Sequence, residues 1–235
     1  GFGGAGAVSA ISASEAGAKV LLTEKAPEGH EGGNTRYCAQ AILNFGTYED
    51  GVAYMTAACE GIDHMTPKWI DYIVRGCMDN PAWLESVGIP APSRKVVGNE
   101  YPELPGKDKV YMTFIADDRY ASGKAYWENV RAGVVSRADN IDVWFESPAQ
   151  HLIQDPVTGT ILGVQIEREG KALSVRARNG VVLACGGIGG LYQNSTNYPH
   201  IAGDGLGIAM EHQVEVEHLD YIQIHPSRCC HAPLS

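Results

Sequence analysis

Glycines at positions 1, 3 and 6 open the chain as Gly-x-Gly-x-x-Gly, and a carboxylate, Glu24, closes the apolar run that follows. These residue types at this spacing suit one task, gripping the ADP end of a dinucleotide. The glycines let a tight turn bring its backbone against a pyrophosphate. The helix that follows presents unpaired N–H groups and a partial positive charge to the phosphates. Glu24 is placed to accept hydrogen bonds from a ribose diol. Ala5, inside the turn, and Lys25, beside the carboxylate, belong to the same candidate site. Ala10 and Gly17 continue the small-residue pattern that lets the helix press against a sheet. The motif leaves nicotinamide and flavin dinucleotides open, and the bland alternative is a glycine-rich helix start with no ligand.

Three further segments carry polar groups that could do chemistry. Gly32-Gly33-Asn34-Thr35-Arg36-Tyr37-Cys38-Ala39-Gln40 follows Glu24 closely, and in isolation it reads as a solvated Gly/Asn loop. Gly203-Asp204-Gly205 taken alone is a turn. Between His218 and Pro226, Ile222 and Ile224 alternate with Tyr221, Gln223 and His225, so a strand there buries one face and sends His225 to the other. The six cysteines include no C-x-x-C pair. Cys229, Cys230 and His231 lack a fourth ligand at zinc spacing, so no metal is expected. Thiols in this pattern read as reduced and point to the cytoplasm.

Positioning these groups calls for an α/β framework. Residues 4 to 17 predict a tightly packed helix stopped by Gly17, and Lys19 to Thr23 a buried parallel strand. From about residue 47 to 122 the pattern predicts a helical insertion, with a helix around Pro67 to Val87 and an irregular Pro- and Gly-rich crossing from Ile89 to Lys109. A helix over Gly123 to Arg137 follows. Three strand-like runs come next, Asp142 to Gln154, Thr160 to Glu169 and Lys171 to Ala184, which predict an antiparallel meander. Its turns are Asp155 to Gly159 and Glu169-Gly170. The third run ends on Gly186-Gly187, where a ligand or another backbone can approach closely.

Composition narrows the partners. Twenty-eight acidic residues against 18 basic ones give a formal charge of -10, which disfavours nucleic acid and anionic membrane surfaces. No run reaches the roughly 20 apolar residues needed to span a bilayer, and no secretory leader is visible. A hydrophobic content of 44% is ordinary for a buried core.

With these motifs in hand, the chain resembles the fumarate reductase and succinate dehydrogenase flavoprotein superfamily, which also holds L-aspartate oxidase. The resemblance rests on Gly33, Asn34, Thr35, Arg36, Ala39 and Gln40, which fall on the family's segment around the pyrophosphate and flavin. It continues through Val182-Leu183-Ala184-Cys185-Gly186-Gly187, Gly203-Asp204-Gly205 and Gln223-Ile224-His225-Pro226. It implies a Rossmann-like FAD-binding domain over residues 1–226, with a parallel sheet and a three-stranded antiparallel meander. A capping domain would begin at residues 227–235; the rest of that cap and the strand leading into Gly1 are expected to be missing. By resemblance FAD is the cofactor, with Ala149 against the adenine and Asp204 in the cofactor site. Thr35 stands at the position where some members carry a flavin-linking histidine, which implies non-covalent FAD. His225 takes the role of binding a substrate carboxylate, and the substrate class is a small di- or polycarboxylic acid.

Residues 1 to about 185 are most similar to soluble fumarate reductases, and residues 186–226 to L-aspartate oxidase. The resemblance leaves the electron partner open, and a fragment without its cap is expected to be inactive. Two other readings compete. A disulfide reductase shares the opening motif but needs a redox cysteine pair, and Cys38 has no such partner in sequence. A non-catalytic protein on the same fold would not need the intact set of Gly1, Gly3, Gly6 and Glu24.

Overall fold

A computed structural model describes residues 1–91, 94–115 and 122–223. In chain order the elements are α1 (Gly4–Glu15), β1 (Val20–Thr23), α2 (Gly33–Tyr37), β2 (Ile42–Phe45), α3 (Tyr48–Ala58), α4 (Pro67–Ser86) and β3 (Arg94–Gly98). They continue with β4 (Val110–Ile115), α5 (Ser122–Val135), β5 (Ile141–Trp144), β6 (Ala149–Gln154), β7 (Ile161–Arg168), β8 (Lys171–Arg176) and α6 (Asp204–Glu211). The chain divides into two units, Gly1–Tyr37 with Val134–Ser235, and Cys38–Gly133.

In the first unit α1 is built from small residues, and Gly6, Ala7, Ala10, Ile11 and Ser14 are buried along it. Only Ile11 contributes a large apolar side chain, worth roughly 1.5–3 kcal/mol on burial. The helix ends as the sequence predicts. Gly17 has φ of +85°, its N–H donates to Ser14 O, and the N–H of Ala18 donates to Ala13 O. This pair of bonds is the Schellman arrangement, which satisfies carbonyls the helix would otherwise leave free. The turn delivers the chain into β1, which pairs in parallel with β5, Val20 against Ile141 through Thr23 against Trp144. Glu24 thus leaves the carboxyl end of a parallel strand, the edge at which such sheets bind ligands.

The meander forms in the order β6-β7-β8. Its first turn is closed by Asp155 Oδ1, which accepts the N–H groups of Val157 and Thr158, both at 2.8 Å. The second uses Glu169 and Gly170 with φ of +53° and +71°, the left-handed pair of a tight hairpin.

Two strand expectations need correction. The run Asp142 to Gln154 is two strands in two sheets, because Glu146 takes φ of +48° and Pro148 has no N–H to offer a ladder. Between them the chain leaves its parallel partner β1 and turns to pair with β7. The third run ends at Arg176 rather than Ala184. The Ala177 N–H still donates to Leu162 O of β7 at 2.9 Å, but residues 178–187 form no strand.

The second unit departs further from the sequence reading. Beside its helices, and in place of an irregular crossing, it holds an antiparallel sheet of order β2-β4-β3. β3 lies inside the stretch expected to be irregular, and pairs Arg94 with Ile115 through Gly98 with Tyr111. β2 follows directly on the Gly/Asn segment, whose composition hides its strand character. The helices are where the sequence puts them. Thr47 caps α3, and Thr66 followed by Pro67 opens α4, both standard helix-start chemistry. Phe45, Tyr54, Ile70, Val74 and Val110 form the unit's buried cluster. Gly51 is required there, because a Cβ would sit 2.7 Å from Val74 Cγ1 and 2.8 Å from Phe45 Cγ. Among the described residues no helix is long and apolar enough to cross a membrane.

Gly17→Ala isolates the backbone term, since nothing lies within 4 Å of its would-be Cβ. The left-handed geometry should cost about 1–2 kcal/mol. Denaturant unfolding should show a lower midpoint with an unchanged slope; an unchanged midpoint would mean that the turn relaxes freely.

Candidate functional site

At the N-terminus of α1 the first-turn N–H groups of Gly4, Ala5 and Gly6 have no carbonyl of their own helix to donate to, and the N-cap, Gly3, has no side chain to cap them. Thr35 Oγ1 accepts the Gly4 N–H at 3.1 Å. Close packing holds this end in shape. A Cβ on Gly6 would lie 1.9 Å from Gly1 O, and one on Gly1 would lie 2.7 Å from Ala184 O. Gly3 meets Gly32 across a parallel bridge, and the Gly32 N–H donates to Phe2 O at 2.9 Å.

Glu24 ties the turn to the strand end. One carboxylate oxygen accepts the Phe2 N–H at 2.6 Å and the other the Ala26 N–H at 2.8 Å. A carboxylate has about four lone-pair sites, so each oxygen keeps one for a further donor. The loop after Glu24 is also held by an acid that sequence reasoning missed. Glu31 is 1% exposed, and it accepts the Gly29 N–H at 2.6 Å.

These groups open onto a cleft with about 910 Å³ of empty space, its solvent-facing mouth included. Gly1, Gly3, Ala5, Glu24, Lys25, Gly33, Asn34, Thr35, Ala149 and Asp204 all line it. They come from five separated stretches of chain. Lys25 Nζ and Asp204 Oδ2 form an ion pair at the rim, and at 30% and 43% exposure it contributes at most about 1 kcal/mol.

Other expected residues are not brought to the lining. Gly6 is buried behind the turn, as its contact with Gly1 requires. Arg36 turns its guanidinium to the carbonyls of Gly29 and Glu31, where it buttresses the loop. Ala39 and Gln40 belong to the second unit, where Gln40 Oε1 accepts the Ser122 hydroxyl at 3.0 Å. His225 lies outside the described residues.

Sequence reasoning missed one wall entirely. Tyr198, His200 and Ile201 line the cleft. The Tyr198 ring stacks on Tyr37 and on His200, with centroids 4.9 Å apart in both pairs. Asn34 anchors this wall, as its Oδ1 accepts the Tyr198 N–H at 2.8 Å and its amide donates to Asn197 Oδ1. Burial, with Tyr37 adding to it, pushes the Tyr198 phenol up. The only sequence signal was an aromatic pair around Pro199 just before Gly203-Asp204-Gly205.

In the second unit burial pushes the Cys38 thiol up. Burial and the neighbouring Cys38 push the Tyr126 phenol up to about 12. Both stay protonated at neutral pH, and the four described cysteines are all free. A low-pKa attacking thiolate, which a disulfide reductase needs, is not what Cys38 offers.

A glycine-rich turn on a helix start, a carboxylate at the end of the adjoining parallel strand and a cleft between them define a dinucleotide-binding protein. The chain belongs to the FAD binding domain family, whose family model matches residues 1–232. It is 28% identical over 242 residues to the fumarate reductase flavoprotein subunit of Escherichia coli, a match covering 97% of this chain and 37% of that protein. It is 46% identical over 66 residues to the L-aspartate oxidase of Clostridium perfringens, covering 28% of this chain and 15% of that enzyme.

Among solved structures the fold is similar to a 3-ketosteroid dehydrogenase from Rhodococcus jostii, with a TM-score of 0.76 at 19% identity, covering 90% of this chain and 52% of that one. It is also similar to the Escherichia coli quinol fumarate reductase, with a TM-score of 0.72 at 24% identity, covering 90% and 36%. The chain therefore spans well under two thirds of the proteins it matches. The cofactor of the family is FAD. The residues present fit the group: the helix start leaves N–H groups for the diphosphate, and Glu24 keeps acceptor capacity for a diol.

Glu24→Gln replaces one carboxylate oxygen by a donor facing a backbone N–H, leaving a clash and an unmatched donor worth about 1–3 kcal/mol. FAD affinity, read by quenching of flavin fluorescence, should fall tenfold or more. Equal affinity in the variant would remove Glu24 from the cofactor site.

Proposed function

We propose that this chain is the cofactor-gripping part of an FAD-dependent oxidoreductase that acts on a small di- or polycarboxylic acid. The observation that carries the reading is the convergence of Gly1, Gly3, Glu24, Asn34, Ala149 and Asp204, distant in sequence, on one cleft. The first turn of α1 takes the pyrophosphate. Glu24 takes the ribose diol with the lone pairs that Phe2 and Ala26 leave unused. Ala149 and its neighbours Ser147 and Pro148 form the adenine side. Asn34 and Thr35 fix the opposite wall, one through Tyr198 and the other through Gly4.

Bound FAD supplies hydride transfer, and the protein contributes binding, orientation and exclusion of water. Thr35 carries no nucleophilic ring nitrogen, so the cofactor is held without a covalent bond. His225 binds a carboxylate of the substrate. The carboxylic-acid substrate class rests on likeness to the fumarate reductase flavoprotein over 97% of this chain. A second reading, oxidation of L-aspartate, is favoured by the higher local identity to L-aspartate oxidase.

Purified protein should be yellow, and heating should release its flavin into the supernatant, where chromatography identifies FAD. Flavin retained on the precipitated protein would refute non-covalent binding. A colourless protein that takes up no added FAD would refute the assignment of the cleft. In the holoenzyme, oxidation of a reduced dye by fumarate against oxygen consumption with L-aspartate separates the two substrate readings.

A further inference from the structure

On the first unit, away from the cleft lining, His151 on β6 faces Glu211 and His212 at the end of α6. One donor atom of each lies within 4.8 Å of the others. We infer that these three side chains form a site for a divalent transition ion of the zinc class, which pins α6 to β6.

The geometry needs little change. A tetrahedral ion about 2.0–2.1 Å from its ligands holds neighbouring donors roughly 3.3 Å apart. His151 Nδ1 and Glu211 Oε2 are already 2.9 Å apart, so an ion can replace the proton they share once the pair opens slightly. At 50% and 51% exposure both side chains have room to move. His212 Nε2 accepts the Leu152 N–H at 3.1 Å, which holds the ring over β6, an edge strand of its sheet. Coordination at that nitrogen displaces the Leu152 bond, so the site is weaker than a closed four-ligand one.

Electrostatics favour a cation at this place. Glu211 is the last residue of α6 and His212 its C-cap, so the ion would sit at the negative end of the helix. Two imidazoles and one carboxylate suit Zn2+, Co2+, Ni2+ or Cu2+, whereas Ca2+ and Mg2+ require oxygen ligands. The ion ties the far end of α6 to β6, and the first residues of the two elements, Asp204 and Ala149, line the cleft. No sequence spacing announces this set, since His151 and Glu211 stand 60 residues apart. The inference is independent of which cofactor the cleft holds.

The test is titration of the chelator-treated full chain with Co2+, read by visible absorption and equilibrium dialysis. One saturable site is expected, competed by Zn2+ and indifferent to Mg2+. His151→Gln and Glu211→Gln should each weaken it tenfold or more. His212→Gln keeps an acceptor for the Leu152 N–H while removing the imidazole, so it should lose Co2+ with circular dichroism unchanged. Absence of saturable binding overturns the inference. So does binding undiminished in the His151→Gln, Glu211→Gln double variant, which would assign the ion to other residues such as Cys229, Cys230 and His231.

Discussion

The crowding of three backbone segments at the start of α1 is the constraint on which the rest of the site depends. The Gly1 carbonyl occupies the space a Cβ at residue 6 would need, and the Ala184 carbonyl occupies the space a Cβ at residue 1 would need. With side chains at these positions the turn, the helix and the 184–186 segment would separate. The free N–H groups of the helix would then no longer face a shaped cleft. Glu24 draws on the same closeness, because its carboxylate reaches the Phe2 N–H only while the turn stays folded against β1.

How much was legible in the sequence follows from how local the determinants are. The helix α1, its Gly17 stop, the short strand before Glu24 and both meander turns are set by neighbours a few residues apart, and all were readable. What was not readable depends on distant partners. Residues 142–154 read as one strand-like run, yet its halves join different sheets, and only tertiary pairing decides where they part. The sheet β2-β4-β3 was hidden for the same reason. β2 is short, and β3 lies among prolines and glycines that argue locally for irregular chain.

The site divides along the same line. Glycines and the acid at a strand end have motif spacing, and they line the cleft as a group. Arg36 was readable as a residue of the right segment but not as a buttress, because its direction is set by carbonyls of the loop before it. The wall of Tyr198 and His200 has no motif. It exists because Asn34 bonds to a backbone N–H 164 residues further along. Glu31, fully buried beside Gly29, is likewise a contact that composition does not announce.

The wiring of the cleft also dictates an order of events during synthesis. The 38–133 unit closes on itself through contacts within one continuous stretch, so it can fold as soon as it has left the ribosome. The turn at residues 1–6 emerges before that unit but must wait. β5 reaches β1 from residue 141 onward, Ala184 closes on Gly1, and Asn34 and Lys25 find their partners only at residues 197–204. The nascent chain therefore carries its most recognisable motif without a pocket until residues 197–204 have been made, and only then can the dinucleotide be captured.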